Sequence, residues 1–130
     1  MSVRVVRLGS PRHENEGPRL GTVRRPPRGV KKADYARQHW YDVWLPDLAP
    51  SAPLVSAALG AGDDAAAWRR FERAYLAEMK KPQASRLLDV LALLSHHADF
   101  SVGCYCEDEG RCHRSILGRL LKDRGAAIAR

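Results

Sequence analysis

The chain has 130 residues, which is enough for one hydrophobic core and short for two domains. Hydrophobic residues make up 45% and charged residues 28%, an ordinary soluble mixture that excludes a disordered chain, a collagen and a disulfide-rich miniprotein. No apolar run is long enough for a membrane-spanning helix, and Arg4 and Arg7 interrupt the amino-terminal stretch where a signal peptide is continuously apolar. We therefore expect a single-domain cytoplasmic protein without a membrane partner.

The net charge of +7 is confined to the first forty residues. Residues 1–40 contain ten basic residues (Lys and Arg) and three acidic ones, whereas residues 41–130 contain twelve basic and twelve acidic residues. The densest stretch contains Pro26, Pro27 and Gly29, which predict a turn or loop, and its cations are Arg19, Arg24, Arg25, Arg28, Lys31 and Lys32. A basic loop attracts phosphate, so the predicted partner is nucleic acid or a phosphorylated small molecule; the alternative is a solvated basic surface.

The first half of the chain predicts one clear strand and a long connection. Residues 3–8 are β-branched and end at Gly9-Ser10-Pro11, which is typical of a strand and its exit turn. Residues 11–33 are rich in Pro, Gly and Arg and predict at most a short extended piece at residues 20–24. Trp40, Tyr41 and Trp44 are interpreted as core, with base stacking as the alternative.

The second half alternates helices with a strand. Ser51 caps a short helix that Gly60 ends, and Asp63 or Asp64 caps a longer one with an aromatic stripe that stops at Lys81-Pro82. A third helix from about residue 84, a buried strand at 99–105 and a last helix at 115–124 follow. This alternation predicts an α/β domain with a small, mainly parallel sheet flanked by helices.

The reactive side chains are concentrated between that last strand and the last helix, in residues 104–115. A helix amino terminus beyond the carboxyl end of a parallel strand offers free N–H groups to an anion. The predicted anion or nucleotide site uses this helix start and the basic loop, and its ligand-binding residues are Arg24, Arg28, Arg111, Arg114 and Ser115. Cationic neighbours lower the pKa of a thiol, so Cys112 is the candidate nucleophile, with His113 beside it.

Two other interpretations of this segment stay open. Cys104, Cys106, Cys112 and His113 have the chemistry of zinc ligands, but the C-x-C-x5-C-H spacing is unlike the usual two separated pairs. We therefore expect no bound metal and no cofactor, and keep a zinc-binding or thiol-based redox module as the alternative. The second interpretation is that the segment is purely structural, with Cys104 acting as a small buried hydrophobic residue. No Walker loop, G-x-G-x-x-G or H-E-x-x-H motif is present, and the Cys-to-Arg spacing of tyrosine phosphatases is missing.

Three blocks of sequence resemble the domain of unknown function 488 family of bacterial proteins. The first is Arg24 with Pro27-Arg28-Gly29-Val30 and Lys32. The second is residues 44–51, Trp-Leu-Pro-Asp-Leu-Ala-Pro-Ser, leading to Trp68, Phe71 and Tyr75. The third is Cys104 with Cys112-His113-Arg114. The resemblance spans most of the chain and implies a compact α/β fold with a Cys-His-Arg site, but it carries no settled activity.

The chain departs from the family pattern at several positions. Relatives often read Asp-Arg-x-Trp-Pro-Arg-Gly in the first block, where Val23 and Pro26 replace the Asp and the Trp. Relatives with the Cys-His-Arg ending often have Glu in place of Cys106. Glu107 is the adjacent carboxylate that would substitute for it, so we assign it with Cys112 and His113 to the candidate catalytic set.

Overall fold

The computed structural model describes residues 1–106 and 112–129. Its described helices and strands are, in chain order, β1 (Val3–Arg7), β2 (Arg19–Gly21), β3 (Val43–Trp44), α1 (Ala52–Ala61), α2 (Ala65–Met79), α3 (Pro82–Leu94), β4 (Phe100–Cys104) and α4 (His113–Asp123). Short 3-10 turns lie at Lys32–Asp34 and Pro46–Leu48. None of the described helices is long and apolar enough to cross a bilayer.

The four strands form one parallel sheet in the order β1-β4-β2-β3. The predicted α/β class with a small parallel sheet is confirmed. β4 pairs with both β1 and β2, and all five of its residues are buried. Because β4 is a central strand covered on both faces, its sequence reads as continuously buried rather than alternating.

The main hydrophobic core lies between the sheet and the helices. The aromatic stripe of α2 supplies Phe71 and Tyr75 to this core, α3 supplies Leu88 and Leu91, and α4 supplies further apolar side chains. The Tyr75 hydroxyl donates a 2.7 Å hydrogen bond to the Leu48 carbonyl. The predicted core role of the α2 stripe is therefore confirmed, and the stripe also fixes the segment that precedes α1.

The helix bounds differ slightly from those predicted. α1 continues past Gly60 to Ala61, because the residue with a left-handed φ of 57° is Gly62. α4 begins at His113 rather than residue 115, with Cys112 as an extended N-cap residue. The Ser115 hydroxyl donates to the Cys112 carbonyl within this first turn.

Two interpretations of the first half were wrong. Trp44 is 44% exposed instead of belonging to the core, because β3 is an edge strand whose two residues face solvent. Its indole N–H donates to the Val23 carbonyl, and Tyr41 is the buried aromatic of this region. Arg19, which the sequence groups with the solvated cations, is fully buried and paired with Glu16.

Candidate functional site

The three cysteines meet at the carboxyl end of the parallel sheet. Cys104 is the last residue of β4, and Cys112 precedes α4. Their Sγ atoms and that of Cys106 all lie within 4.8 Å of one another. Cys104 and Cys112 are each 1% exposed, whereas Cys106 is exposed. A buried pair with an exposed third thiol is therefore the geometric centre of the site.

Cys104 and Cys112 are the closest pair in this cluster. Their sulfur atoms lie in bonding contact, and their Cα atoms are 7.7 Å apart. The Cα atoms of a disulfide are usually no more than about 6.8 Å apart. The backbone spacing of this sulfur-bonded pair is therefore longer than that of an ordinary disulfide.

His113 is held in one tautomer beside Cys112. Its Nε2 lies 2.6 Å from the Thr22 carbonyl, which only accepts hydrogen bonds, so Nε2 carries the proton and Nδ1 holds a lone pair. Nδ1 lies 3.8 Å from the Cys112 sulfur. Burial lowers the pKa of His113 to about 4, against the opposing effect of the bond to Thr22. The imidazole is therefore neutral at physiological pH and presents an acceptor to the thiols.

Arg114 points its guanidinium into the same site. Its Nη1 donates to the Cys106 carbonyl at 2.8 Å and lies 4.0 Å from the Cys104 sulfur. The side chain is 5% exposed, and its Nε atom is buried without a hydrogen-bond partner among the described residues. This guanidinium therefore places a buried positive charge beside the sulfur of Cys104.

The basic segment lies beside the thiols, but its arginines have different roles. Arg24 donates through Nε and Nη2 to the carbonyls of Pro46, Ala49 and Pro50, so its guanidinium anchors the backbone before α1. Arg28 is exposed. The Tyr105 hydroxyl donates to the Arg25 carbonyl, which places this segment next to the cysteine cluster. Of the two predicted ligand-binding arginines in the basic segment, Arg24 and Arg28, the exposed one is Arg28.

The remaining predicted residues are placed as follows. Cys112, His113 and Arg114 lie together at the start of α4, and Ser115 occupies its first turn. Glu107 and Arg111 lie outside the described residues. Thr22 is the site residue that the sequence did not reveal. It contributes a backbone carbonyl, which every residue type has, so its side chain gave no signal.

A comparison with protein families decides the relationship of this chain. The family DUF488-N3a, described as the active DUF488-N3 subclade, matches residues 3–125. The chain belongs to the DUF488 family. The resemblance carried by the three sequence blocks is therefore confirmed for this DUF488 protein. No curated protein and no solved structure matches it.

Proposed function

We propose that this DUF488 protein binds one Zn²⁺ ion through Cys104, Cys106 and Cys112. The observation that carries the proposal is the convergence of three Sγ atoms within 4.8 Å. Zn–S bonds of about 2.3 Å in tetrahedral geometry place two ligand sulfurs roughly 3.7 Å apart. Thiolates are soft ligands that select Zn²⁺ over Mg²⁺ or Ca²⁺. The cluster thus has the ligand chemistry of a zinc-thiolate centre, and Cys104 and Cys112, whose sulfurs are in bonding contact, would have to be reduced and separate to that spacing around the ion.

His113 is the proposed fourth ligand, and it would complete the coordination by moving toward the sulfurs, because the set whose atoms all lie within 4.8 Å of one another contains only the three cysteines among the described residues. A ligating histidine usually donates its other ring N–H to a carboxylate or backbone carbonyl, which fixes its tautomer. Thr22 provides such a carbonyl, and Nδ1 faces Cys112 at 3.8 Å. The nitrogen and sulfur ligands of a tetrahedral zinc ion are about 3.6 Å apart. The spacing of these residues along the chain, C-x-C-x5-C-H, did not favour a zinc site. The fold nevertheless brings the three sulfurs close together in space.

Arg114 balances the charge of the proposed centre. Three thiolates around Zn²⁺ leave a net charge of −1, and burying an uncompensated charge is costly. The guanidinium lies 4.0 Å from Cys104 and bonds the Cys106 carbonyl. It therefore offsets this charge and orients the chain between the ligands.

Elemental analysis of protein purified without chelator and kept reduced tests the proposal. We expect about one zinc per chain, and at least a tenfold loss of zinc affinity in Cys106→Ser and in His113→Gln. Cys106 is exposed, so its replacement leaves the core intact and separates ligand loss from unfolding. His97→Gln, at an exposed histidine after α3, is the matched control and should keep the metal. Metal-free parent protein that takes up no added zinc, or full affinity in Cys106→Ser, contradicts the proposal.

A second candidate function is binding of nucleic acid by the basic segment. The observation that favours it is the exposure of four cations beside the site, Arg25, Arg28, Lys31 and Lys32. The Tyr105 contact fixes Arg25 next to the cysteines. Exposed cations spaced along one loop are suited to phosphate contacts, which depend on charge more than on sequence. The dependence of DNA affinity on salt measures this candidate independently of zinc.

A further inference from the structure

A groove with a strongly cationic lining lies between β1 and α4. Its volume is about 390 Å³, within the range of small-molecule sites. Every charged residue that lines it, within the described part of the chain, is a cation: Arg4, Arg114, Arg119 and Lys122. Arg119 forms an ion pair with Glu72 of α2. The charge available to a ligand therefore comes from Arg4 and Lys122, because the guanidinium of Arg114 is directed at the cysteines.

Two arginine donors in this groove lack a hydrogen-bond partner. Arg4 Nε and Arg114 Nε are both buried, and neither bonds any described residue. A buried donor without a partner costs about 1 to 3 kcal/mol, and most such groups in folded proteins are satisfied. Arg114 is 5% exposed, so bulk water does not compensate its Nε. Both residues line this groove, so a shift of either side chain on binding would bring its Nε to an anion there.

The sequence forms this groove by bringing α4 close to the edge strand. A Cβ atom at Gly118 would lie 3.2 Å from Val5 Cγ2, so the glycine permits the close approach of the helix to β1. The carboxyl-terminal segment forms the other side, where Ile128 bridges Val3 and the Ala129 amide donates to the Val3 carbonyl. The groove thus has an apolar lining from Val5 and Ile128 as well as its cations.

We propose that this groove binds a small phosphomonoester. Arg4 and Lys122 supply two positive charges, which match the double negative charge of a phosphomonoester, and arginine N–H groups suit phosphate oxygens. The apolar lining accommodates the organic part of the ligand. The site goes beyond the proposed zinc centre, because Arg4 and Lys122 lie outside it. Arg114 is a residue of both, since it lines the groove while its Nη1 lies at the cysteines.

Calorimetric titration with inorganic phosphate, at an ionic strength held constant with chloride, tests this site. We expect saturable binding of one phosphate per chain and about a tenfold weaker affinity in Arg4→Gln, since a charge-assisted hydrogen bond is lost. Lys122→Gln removes an exposed cation and should weaken binding several-fold. The matched control, Arg69→Gln, removes an equal charge from an exposed position on α2 and should bind as the parent does.

The outcomes separate this site from the other two proposals. No saturable binding by the folded parent, parent-like affinity in Arg4→Gln, or an equal loss in Arg69→Gln would each overturn it. Cys106→Ser should still bind phosphate, so a failure of zinc binding leaves this result intact. Arg4→Gln should not change affinity for duplex DNA by more than Arg69→Gln does. A selective loss of DNA binding in Arg4→Gln would assign the groove to nucleic acid and overturn the phosphomonoester proposal.

Discussion

Glu16 and Arg19 form a buried contact that holds the connection between β1 and β2 in place. Both side chains are almost completely buried and form an ion pair. Ser101 of β4 donates to the Glu16 carboxylate, and the His39 carbonyl accepts from Arg19. The pair therefore connects the 11–18 connection, β2, β4 and the segment before β3.

Glu16→Gln should destabilise the protein by about 3 to 5 kcal/mol, because it leaves the buried Arg19 charge without its counterion. Urea denaturation of the parent and the variant measures this loss. Asp34→Asn breaks an ion pair whose Arg37 side chain is 74% exposed, and as a control it should cost less than about 1 kcal/mol. Equal losses of unfolding free energy in the two variants would show that the buried ion pair of Glu16 stabilises the protein no more than the exposed pair of Asp34.

The same pair predicts a direction for the pH dependence of stability. Burial alone would raise the pKa of Glu16, but hydrogen bonds from Arg19 and Ser101 lower it below its ordinary value of 4.5. A depressed carboxyl pKa stabilises the folded state above about pH 4.5, and this contribution is lost as the pH falls through the folded pKa. The stability difference between the parent and Glu16→Gln should therefore narrow in acid.

At the scale of single elements, α2 owes its start to one side chain. Asp64 Oδ1 accepts hydrogen bonds from the Ala66 and Ala67 amides, which have no partner within the helix. The sequence offered Asp63 and Asp64 as equivalent caps. In the structure the helix begins at Ala65, so Asp64 occupies the N-cap position.

Asp64→Ala should lower the free energy of unfolding by about 1 kcal/mol, because two amides lose their acceptor. Chemical denaturation monitored by circular dichroism checks the size of the effect. Asp63→Ala, at the exposed neighbouring position, is the control and should change stability by less than about 0.5 kcal/mol. A larger loss at residue 63 than at residue 64 would contradict the assignment of the cap.

At the scale of the whole molecule, the charge distribution predicts how the protein responds to salt if it binds nucleic acid. Each phosphate neutralised on duplex DNA contributes close to one unit to the slope of log affinity against log salt. Replacing Arg25 and Arg28 with Ala should weaken binding and reduce the slope by up to about two units. Gel-shift titrations at two salt concentrations measure both quantities.

Arg24 is left unchanged in this experiment, because it holds three backbone carbonyls and its loss would perturb the fold. Arg69→Ala together with Arg70→Ala is the matched control, since both arginines are exposed on α2. Absence of DNA binding by the parent at low salt would reject this candidate and leave the zinc and phosphate proposals unaffected.

Local sequence patterns by themselves determined the class of fold and most of its elements. The aromatic stripe of α2 and the β-branched run of β1 have periodicities that only one kind of element satisfies. The two-residue β3 could not be predicted in this way, because its strand character comes from pairing with β2 rather than from a pattern of its own. The same reasoning applies to Trp44, whose exposure follows from the edge position of that strand.

The sequence alone also located the reactive segment, because three cysteines, a histidine and two arginines within eleven residues stand out in any chain of this length. Only the tertiary structure decided which atoms meet there. The parallel strands end at one edge, so Thr22 orients His113 and Arg114 reaches Cys104 across the site. The cationic groove was equally hidden, since Arg4 and Lys122 are 118 positions apart and become neighbours only when α4 packs against β1. Long-range proximity depends on how whole elements pack, and local patterns of polarity do not encode it.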